Sequence, residues 1–363
     1  MGDARGKDFT KTDWSGALWR IPRVVALRAR LIGGVLLGNL RLTHALAPEW
    51  RERYEQARRD LAANDAIFQP GQQWTIITRF YRLVLRAWGL KDFKSTFGRF
   101  LSTYEASNPW IFQAAHHLYR QALEPRDVWG LLDELDEPEL GHGTYIVYRG
   151  KRLSLDLLQS IDELYRLREA MGFERNDKVV FCELGAGYGR LAEVILRAMP
   201  NATFMIFDLP ESLLLSQHYL TTLHPQAKAA FYPGSEKALA SAETILAHRL
   251  IFGLPHQLRD VPPGVVNAFI NIYSFMEMGR EQIENYFGII DRLQVDALYV
   301  KQFKREVNIY DGSLNTSGSY PARPGWRKVL ERTSTLFEHV FEAVWAVSAA
   351  GPRLRARAAA ASK

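Results

Sequence analysis

The sequence reads as an α/β protein, a doubly wound, mainly parallel sheet preceded by a helical N-terminal region. Three observations predict it. From Lys178 onward, apolar strand-length runs alternate with helical patterns, the rhythm of a parallel sheet flanked by helices. The first run enters a glycine turn, FCELGAGYGRLAEVIL at residues 181–196, and Leu191, Val194, Ile195 and Leu196 then follow at helical spacing. Over the first 140 or so residues the pattern is helical instead. With 363 residues, 47% of them hydrophobic, the chain can build a large core and two domains.

The opening stretch, MGDARGKDFTKTDW, is charged and lacks the apolar segment of a secretory signal, and Gly6 breaks the myristoylation pattern. No run approaches the roughly 18 apolar residues of a spanning helix; Leu31–Gly38 is the best candidate and is far too short. A cytoplasmic protein, soluble or attached to a membrane surface, is expected. Residues 19–41 read as a basic amphipathic helix. Arg20, Arg23, Arg30 and Arg41 share one side, and Ile21, Val25, Ile32, Leu36 and Leu40 the other, with Leu27, Leu31 and Arg28 misplaced. Such a helix can lie on an anionic membrane or pack against its own domain or a homodimer partner.

Asn64–Gln72 and Glu137–Gly143 break the helical region, and Trp74 to Trp88 has helical spacing between them. Thr144–Arg152 alternates and turns at Gly150, which predicts a short hairpin before a helix at Asp156–Met171. Strands are expected at 178–184, 203–208, 249–254, 265–272 and 296–303, and a final antiparallel pair within Trp326–Val347. The organisation is then a helical cap over 1–143, a hairpin and connecting helix over 144–174, a cofactor-binding domain over 175–348 and a basic disordered tail over 349–363.

The one cysteine, Cys182, excludes a disulfide framework and, placed inside an apolar strand, belongs to the core. A formal net charge of +6 favours anionic partners without naming one. No zinc finger, RNA-binding signature or aromatic–basic repeat is present, so nucleic acid is not expected. Nor does any acid or histidine cluster have ligand spacing, so no metal is expected.

The glycine turn identifies a ligand class. A dinucleotide fingerprint is G-x-G-x-x-G, whereas Gly185 and Gly187 are followed by Gly189, with Arg190 at the last fingerprint position. Glu183 stands two residues before the first glycine. A carboxylate there repels a pyrophosphate and attracts an ammonium group. S-adenosylmethionine carries an amino group, a sulfonium and no phosphate, and glycines let the backbone approach its methionine portion. Asp208, nineteen residues after Gly189, ends the second strand, where an acid can accept hydrogen bonds from ribose hydroxyls.

ELGAGYGRLAEVIL, FDLPESLLLSQHYL, LIFGLPHQL, INIYSFMEM and LYVKQFKRE, in that order, resemble the sugar O-methyltransferases, as do YRGKRLSLDLLQSIDEL and YPARPGW. The resemblance covers most of residues 140–345. It implies a class I methyltransferase fold, Rossmann-like, with a seven-stranded, mainly parallel sheet whose last strand is antiparallel. It also implies that S-adenosylmethionine sits on Glu183, Gly185, Gly187 and Asp208, with Leu254, His256 and Gln257 near the adenine, and that a saccharide hydroxyl is methylated. The DLP after the second strand also occurs in plant-type phenol methyltransferases, so a polyketide or phenol acceptor stays open, as does a catalytically silent scaffold.

A hydroxyl acceptor benefits from a general base. Glu277 is the acid in the loop after the fourth strand, and it serves either as base or acceptor-orienting group, or it caps the next helix or binds a backbone amide. His256 is the second candidate. Tyr273, Phe275, Tyr148 and Tyr145 are candidates for stacking on a sugar, or core. Lys301, Lys304 and Arg305, and Arg149, Lys151 and Arg152 on the hairpin, either meet phosphates of a linked sugar or form solvated clusters. His116 and His117 reach the cleft only if the helical region folds over it, and His218 is expected to be structural.

Overall fold

A computed structural model describes residues 46–90, 92–94, 109–143, 145–307, 314–335 and 337–348. The basic helix over 19–41 and the tail lie outside them. No helix among the described residues is long and apolar enough to cross a membrane.

Helices α1 (Pro48–Ala62), α2 (Gln72–Trp88) and α3 (Pro109–Leu123) precede the hairpin of β1 (Ile146–Tyr148) and β2 (Lys151–Leu153). Arg149 and Gly150 both have positive φ at its turn, +48° and +74°, which suits the right-handed twist of a tight hairpin. Helix α4 (Leu155–Met171) starts where the Ser154 hydroxyl accepts the Leu157 amide at 2.9 Å and stops at Gly172 with φ +75°. It is buried almost all round, including Asp156, Gln159, Ser160, Asp162, Glu163 and Arg166. Buried charges persist only when paired. Asp162 accordingly lies 3.2 Å from both Arg126 and Arg166.

The central sheet follows, built from β3 (Val180–Leu184), β4 (Thr203–Phe207), β5 (Ala229–Ala230), β6 (Leu250–Gly253), β7 (Ala268–Ile272), β8 (Ala297–Phe303), β11 (Arg327–Thr333) and β12 (Val340–Ala346). The spatial order is β11-β12-β8-β7-β3-β4-β6-β5. β12 is antiparallel to β8 and β11, and every other pairing is parallel. β3, β4, β6 and β7 are wholly buried runs, as strands covered on both faces must be. This mainly parallel sheet with a reversed last strand is the class I methyltransferase fold. It departs from the seven strands expected by the two-residue edge strand β5, too short to show in a sequence pattern. A second ribbon, β9 (Arg305–Val307) with β10 (Leu314–Thr316), was also not foreseen.

Helices α5 (Arg190–Ala198), α6 (Pro210–Leu223) and α7 (Arg280–Leu293) follow β3, β4 and β7. The chain winds outward from β3 through β4 and β6, then returns to β7 on the other side of β3. That switch opens a crevice at the carboxyl ends of the strands. Cys182 is fully buried in β3, as expected.

Lys301 on β8 corrects the sequence reading. It does not belong to a solvated cluster and is closed off from a ligand, being fully buried with its Nζ 2.8 Å from Glu163 and 3.7 Å from Glu342. Removing one partner of such a pair leaves an uncompensated buried charge. Lys301→Met should therefore lower unfolding stability by about 3–5 kcal/mol, measured by urea denaturation, whereas Met at the exposed Lys304 should change it by less than about 0.5 kcal/mol.

Candidate functional site

A cleft of about 350 Å³ occupies the switch point. Its floor is the glycine turn. Gly185, Gly187 and Gly189 have φ of +79°, +61° and +87°, a region where side chains are strained. The approach at Gly185 is also close, because a Cβ there would lie 2.3 Å from Ser274 Oγ. Gly189 begins α5, where a Cβ would meet Leu220 Cδ1 at 2.9 Å.

Two acids face this turn. Glu183 is 3% exposed, and its Oε2 is buried without a hydrogen-bond partner. Burial pushes its pKa up to about 8, with Glu163 and Asp208 adding to the rise and Arg190 opposing it. Asp208 Oδ2 accepts the Gly187 amide at 2.8 Å and Oδ1 the Leu209 amide at 2.7 Å, so it also braces the turn. Burial raises Asp208 to about 7 against those two amides. The cleft therefore offers an unpartnered carboxyl oxygen and a braced carboxyl beside a glycine turn whose own amides are already bonded, Gly185 to Phe207, Gly187 to Asp208 and Gly189 to Ala186.

The opposite wall comes from the N-terminal region. Phe68, Pro70, Gly71 and Trp74 line the cleft. The Trp74 indole donates to Glu277 Oε2 at 2.5 Å, across 203 residues of sequence. Burial raises Glu277 to about 7, the indole counteracts that, and Asp208 and Glu306 add to it. Capping of α7 falls to Gln282, whose Oε1 accepts the Gly279 amide at 3.4 Å, so Glu277 is not a cap. Its carboxyl faces the cleft at a pKa suited to accepting a proton near neutrality.

Of the other candidates, Tyr273 lines the cleft with an unusual φ of +55°, and its ring packs on Phe303 at 5.7 Å. The others that follow do not line it. Phe275 is fully buried against Phe287 and Tyr286, so it is core. Gln257 is 2% exposed, and its amide accepts the Leu254 N–H at 2.9 Å and donates to Glu236, which turns it away from the cleft. His256 stands behind Phe68, with ring centroids 6.4 Å apart, and burial lowers its pKa. Pro255 lines the cleft in its place, because the chain turns into a 3₁₀ segment at once after β6. On the hairpin, Tyr148 packs under the Arg120 guanidinium at 3.9 Å and against His117, and Arg149 is exposed. Arg152 is tied to Asp136 and Glu139. His116 is buried, and neither it nor His117 lines the cleft, while His218 packs on Trp50.

Sequence reading missed Trp74, Arg190, Phe303, Phe337 and His339, all lining residues. Phe303, His339 and Phe337 form a row with centroid spacings of 5.2 and 5.8 Å. Only Arg190 had a local signal, its place directly after the glycine turn. Among the described residues, no group of three or more His, Cys, Asp or Glu could hold a metal ion.

No protein-family model and no curated protein matches the sequence. Solved structures do. The pyocyanin biosynthetic protein PhzM is 14% identical with a TM-score of 0.34, over 52% of this chain and 56% of PhzM, so the match spans little more than half of that protein. A SAM-dependent methyltransferase from Aquifex aeolicus is 10% identical with a TM-score of 0.33, over 53% of this chain and 98% of that one. The methyltransferase domain of bacterial CtHen1 is 12% identical with a TM-score of 0.32, over 52% and 99%.

The raised carboxylates fix the sign of a pH effect. A carboxyl with a higher pKa folded than unfolded binds more protons in the folded state, so stability falls as pH rises. Glu183, Asp208 and Glu277 act together, between about 4 for unfolded carboxyls and about 8 for Glu183. Thermal unfolding of the ligand-free protein should show a midpoint that drops from about pH 5 to about pH 8. Glu183→Gln should reduce the drop.

Proposed function

We propose that the protein is an S-adenosylmethionine-dependent O-methyltransferase acting on a hydroxyl of an uncharged saccharide acceptor. The observation that carries the donor assignment is the unpartnered, buried Oε2 of Glu183 beside a turn whose Gly185 leaves no room for a Cβ. A phosphate ligand would meet two carboxylates there, whereas an ammonium group supplies the charge Glu183 lacks. Glu183 would hold the amino group, Asp208 the ribose hydroxyls, and the Gly185–Gly187 backbone the methionine portion. Leu209 and Pro255 supply apolar wall on that side. When bound, S-adenosylmethionine supplies an electrophilic methyl group.

Glu277 then takes the proton of the acceptor hydroxyl. Its pKa near 7 lets it remain partly ionised at neutral pH while staying basic enough to act, and the Trp74 indole fixes its orientation. Tyr273, Phe303, Phe337 and His339 offer flat surfaces for the apolar face of a sugar ring. The charge balance favours an uncharged acceptor over a nucleotide- or phospholipid-linked one. Glu183, Asp208 and Glu277 line the cleft, Arg190 is held by Glu163, and Lys304 and Arg305 are exposed outside the lining. The same aromatic row favours a second reading, a phenolic acceptor that stacks and ionises with less help from Glu277.

Calorimetric titration with S-adenosylmethionine tests the donor. Affinity should rise with pH up to about 8 as Glu183 ionises, and Glu183→Gln or Asp208→Ala should weaken binding about tenfold or more. Donor-independent behaviour, with NADH bound instead, would sink the reading. Turnover of labelled donor on neutral glycosides, nucleotide-sugars and phenols tests the acceptor. Glu277→Gln should lower kcat about a hundredfold on a sugar hydroxyl with little change in KM. A phenol turned over with kcat nearly insensitive to Glu277→Gln would favour the second reading.

A further inference from the structure

Arg190 lines the same cleft as Glu183 and is the cation that pulls Glu183's pKa down most strongly. An arginine beside a buried carboxylate ordinarily pairs with it. Here it does not. Its Nη1 and Nη2 form a fork on Glu163, at 2.6 Å to Oε2 and 2.9 Å to Oε1, and Nη1 also donates to Ser160 Oγ at 2.9 Å. Glu163 lies on α4, where Ser160 and Asp156 share its stripe three and seven residues earlier. Asp156 accepts the Tyr188 hydroxyl at 2.6 Å, fixing the glycine turn to the same helix face. Lys301 Nζ, 2.8 Å from Glu163 Oε1, holds that carboxylate from the other side.

The fork therefore spends the guanidinium on a residue outside the cleft, and Glu183 Oε2 is left bare. We propose that Glu163 is a positioning residue for the donor site: it clamps Arg190 so that the Glu183 carboxylate stays unpaired and open to an ammonium group. The inference rests on the donor reading above. Without the clamp, Arg190 turns to Glu183 and occupies the position of the donor's amino group. Arg190 then acts as a built-in competitor, restrained by α4. The charged groups facing Glu183 are Arg190, Glu163 and Asp208, so its titration reports which partner Arg190 has taken.

The test is S-adenosylmethionine affinity, measured by calorimetry from about pH 6 to about pH 8, for wild type, Glu163→Gln, Arg190→Met and the double variant. Glutamine keeps the shape of Glu163 and an oxygen for Lys301, but it loses the charge that holds the fork. Glu163→Gln should weaken binding about tenfold or more and flatten the pH dependence, since Arg190 keeps Glu183 ionised. Arg190→Met should instead move the pH dependence upward, because the cation opposing Glu183's raised pKa is gone. The double variant should bind more tightly than Glu163→Gln alone. A double variant as weak as Glu163→Gln would overturn the proposal, because loss of fold is not rescued by removing a second buried group. If Glu163→Gln does not fold, Arg190→Met decides. An upward shift with binding retained at the higher pH supports the proposal, and loss of binding at every pH overturns it. Wild type that binds no donor overturns the donor reading itself, whereas wild type that binds and a Glu163→Gln that binds equally well overturns only this inference.

Discussion

The carboxylate of Glu163, shared between Arg190 and Lys301, is the constraint on which the site depends. Glu163 and Lys301 are fully buried and the Arg190 side chain is 10% exposed, and each belongs to a different element, α4, α5 and β8. A single buried charge is costly, and it becomes tolerable only with partners at hydrogen-bonding distance. The trio therefore works as a three-way tie. It fixes the helix after the glycine turn against the helix before the sheet and against a strand beyond β7. The turn's three left-handed glycines are then held in one conformation by contacts from outside the turn, with the Asp208 carboxylate bracing Gly187 from within.

The N-terminal helices are joined to this frame by contacts of the same kind. Tyr54 on α1 donates to the buried Glu211 at 2.9 Å, Lys94 reaches the Tyr219 hydroxyl at 3.0 Å, and Trp74 reaches Glu277. The apolar core runs without interruption from Leu46 to Trp345. The cleft lining is consequently shared between sheet residues such as Ile272 and Phe303 and the N-terminal Phe68, Pro70, Gly71 and Trp74. Without the N-terminal residues Glu277 would lose the Trp74 indole and that side of its cover from water, and less burial would bring its pKa back toward that of an ordinary carboxylate. The N-terminal segment makes Glu277 a group that can exchange a proton near neutral pH.

What could be read from the sequence was whatever is local. Strands β3, β4, β6, β7 and β8, the hairpin and α4 appear within three residues of expectation, because burial on both faces or helical spacing writes itself into consecutive residues. Glu183 and Asp208 were legible for the same reason, each tied by spacing to a turn or strand end. Side-chain direction just after a strand was not legible. Gln257 and Phe275 sit in the expected loops, yet each turns inward, one to cap its own 3₁₀ segment and the other to fill the core. Trp74, Phe337 and His339 come from segments whose approach to the cleft depends on the whole chain. Lys301 did leave a trace, as a lone charge in the apolar run ALYVKQF, and its matching acid on α4 was hidden within an otherwise amphipathic pattern.

A cleft lined by Glu183, Asp208 and Glu277 poses an electrostatic problem, since three neighbouring carboxylates, two buried and one half-buried, cannot all be ionised cheaply. Their raised pKa values are the solution: near neutrality these carboxyls hold protons in place of counter-ions. A ligand that brings its own positive charge displaces one of those protons, and the site then discriminates by charge before any contact is matched. An anion would keep those carboxyls protonated, gain no counter-charge from them and find Arg190 already committed to Glu163. The clamp and the acids are thus parts of one arrangement, in which a cation native to the site is kept away so that a cation on the ligand is favoured.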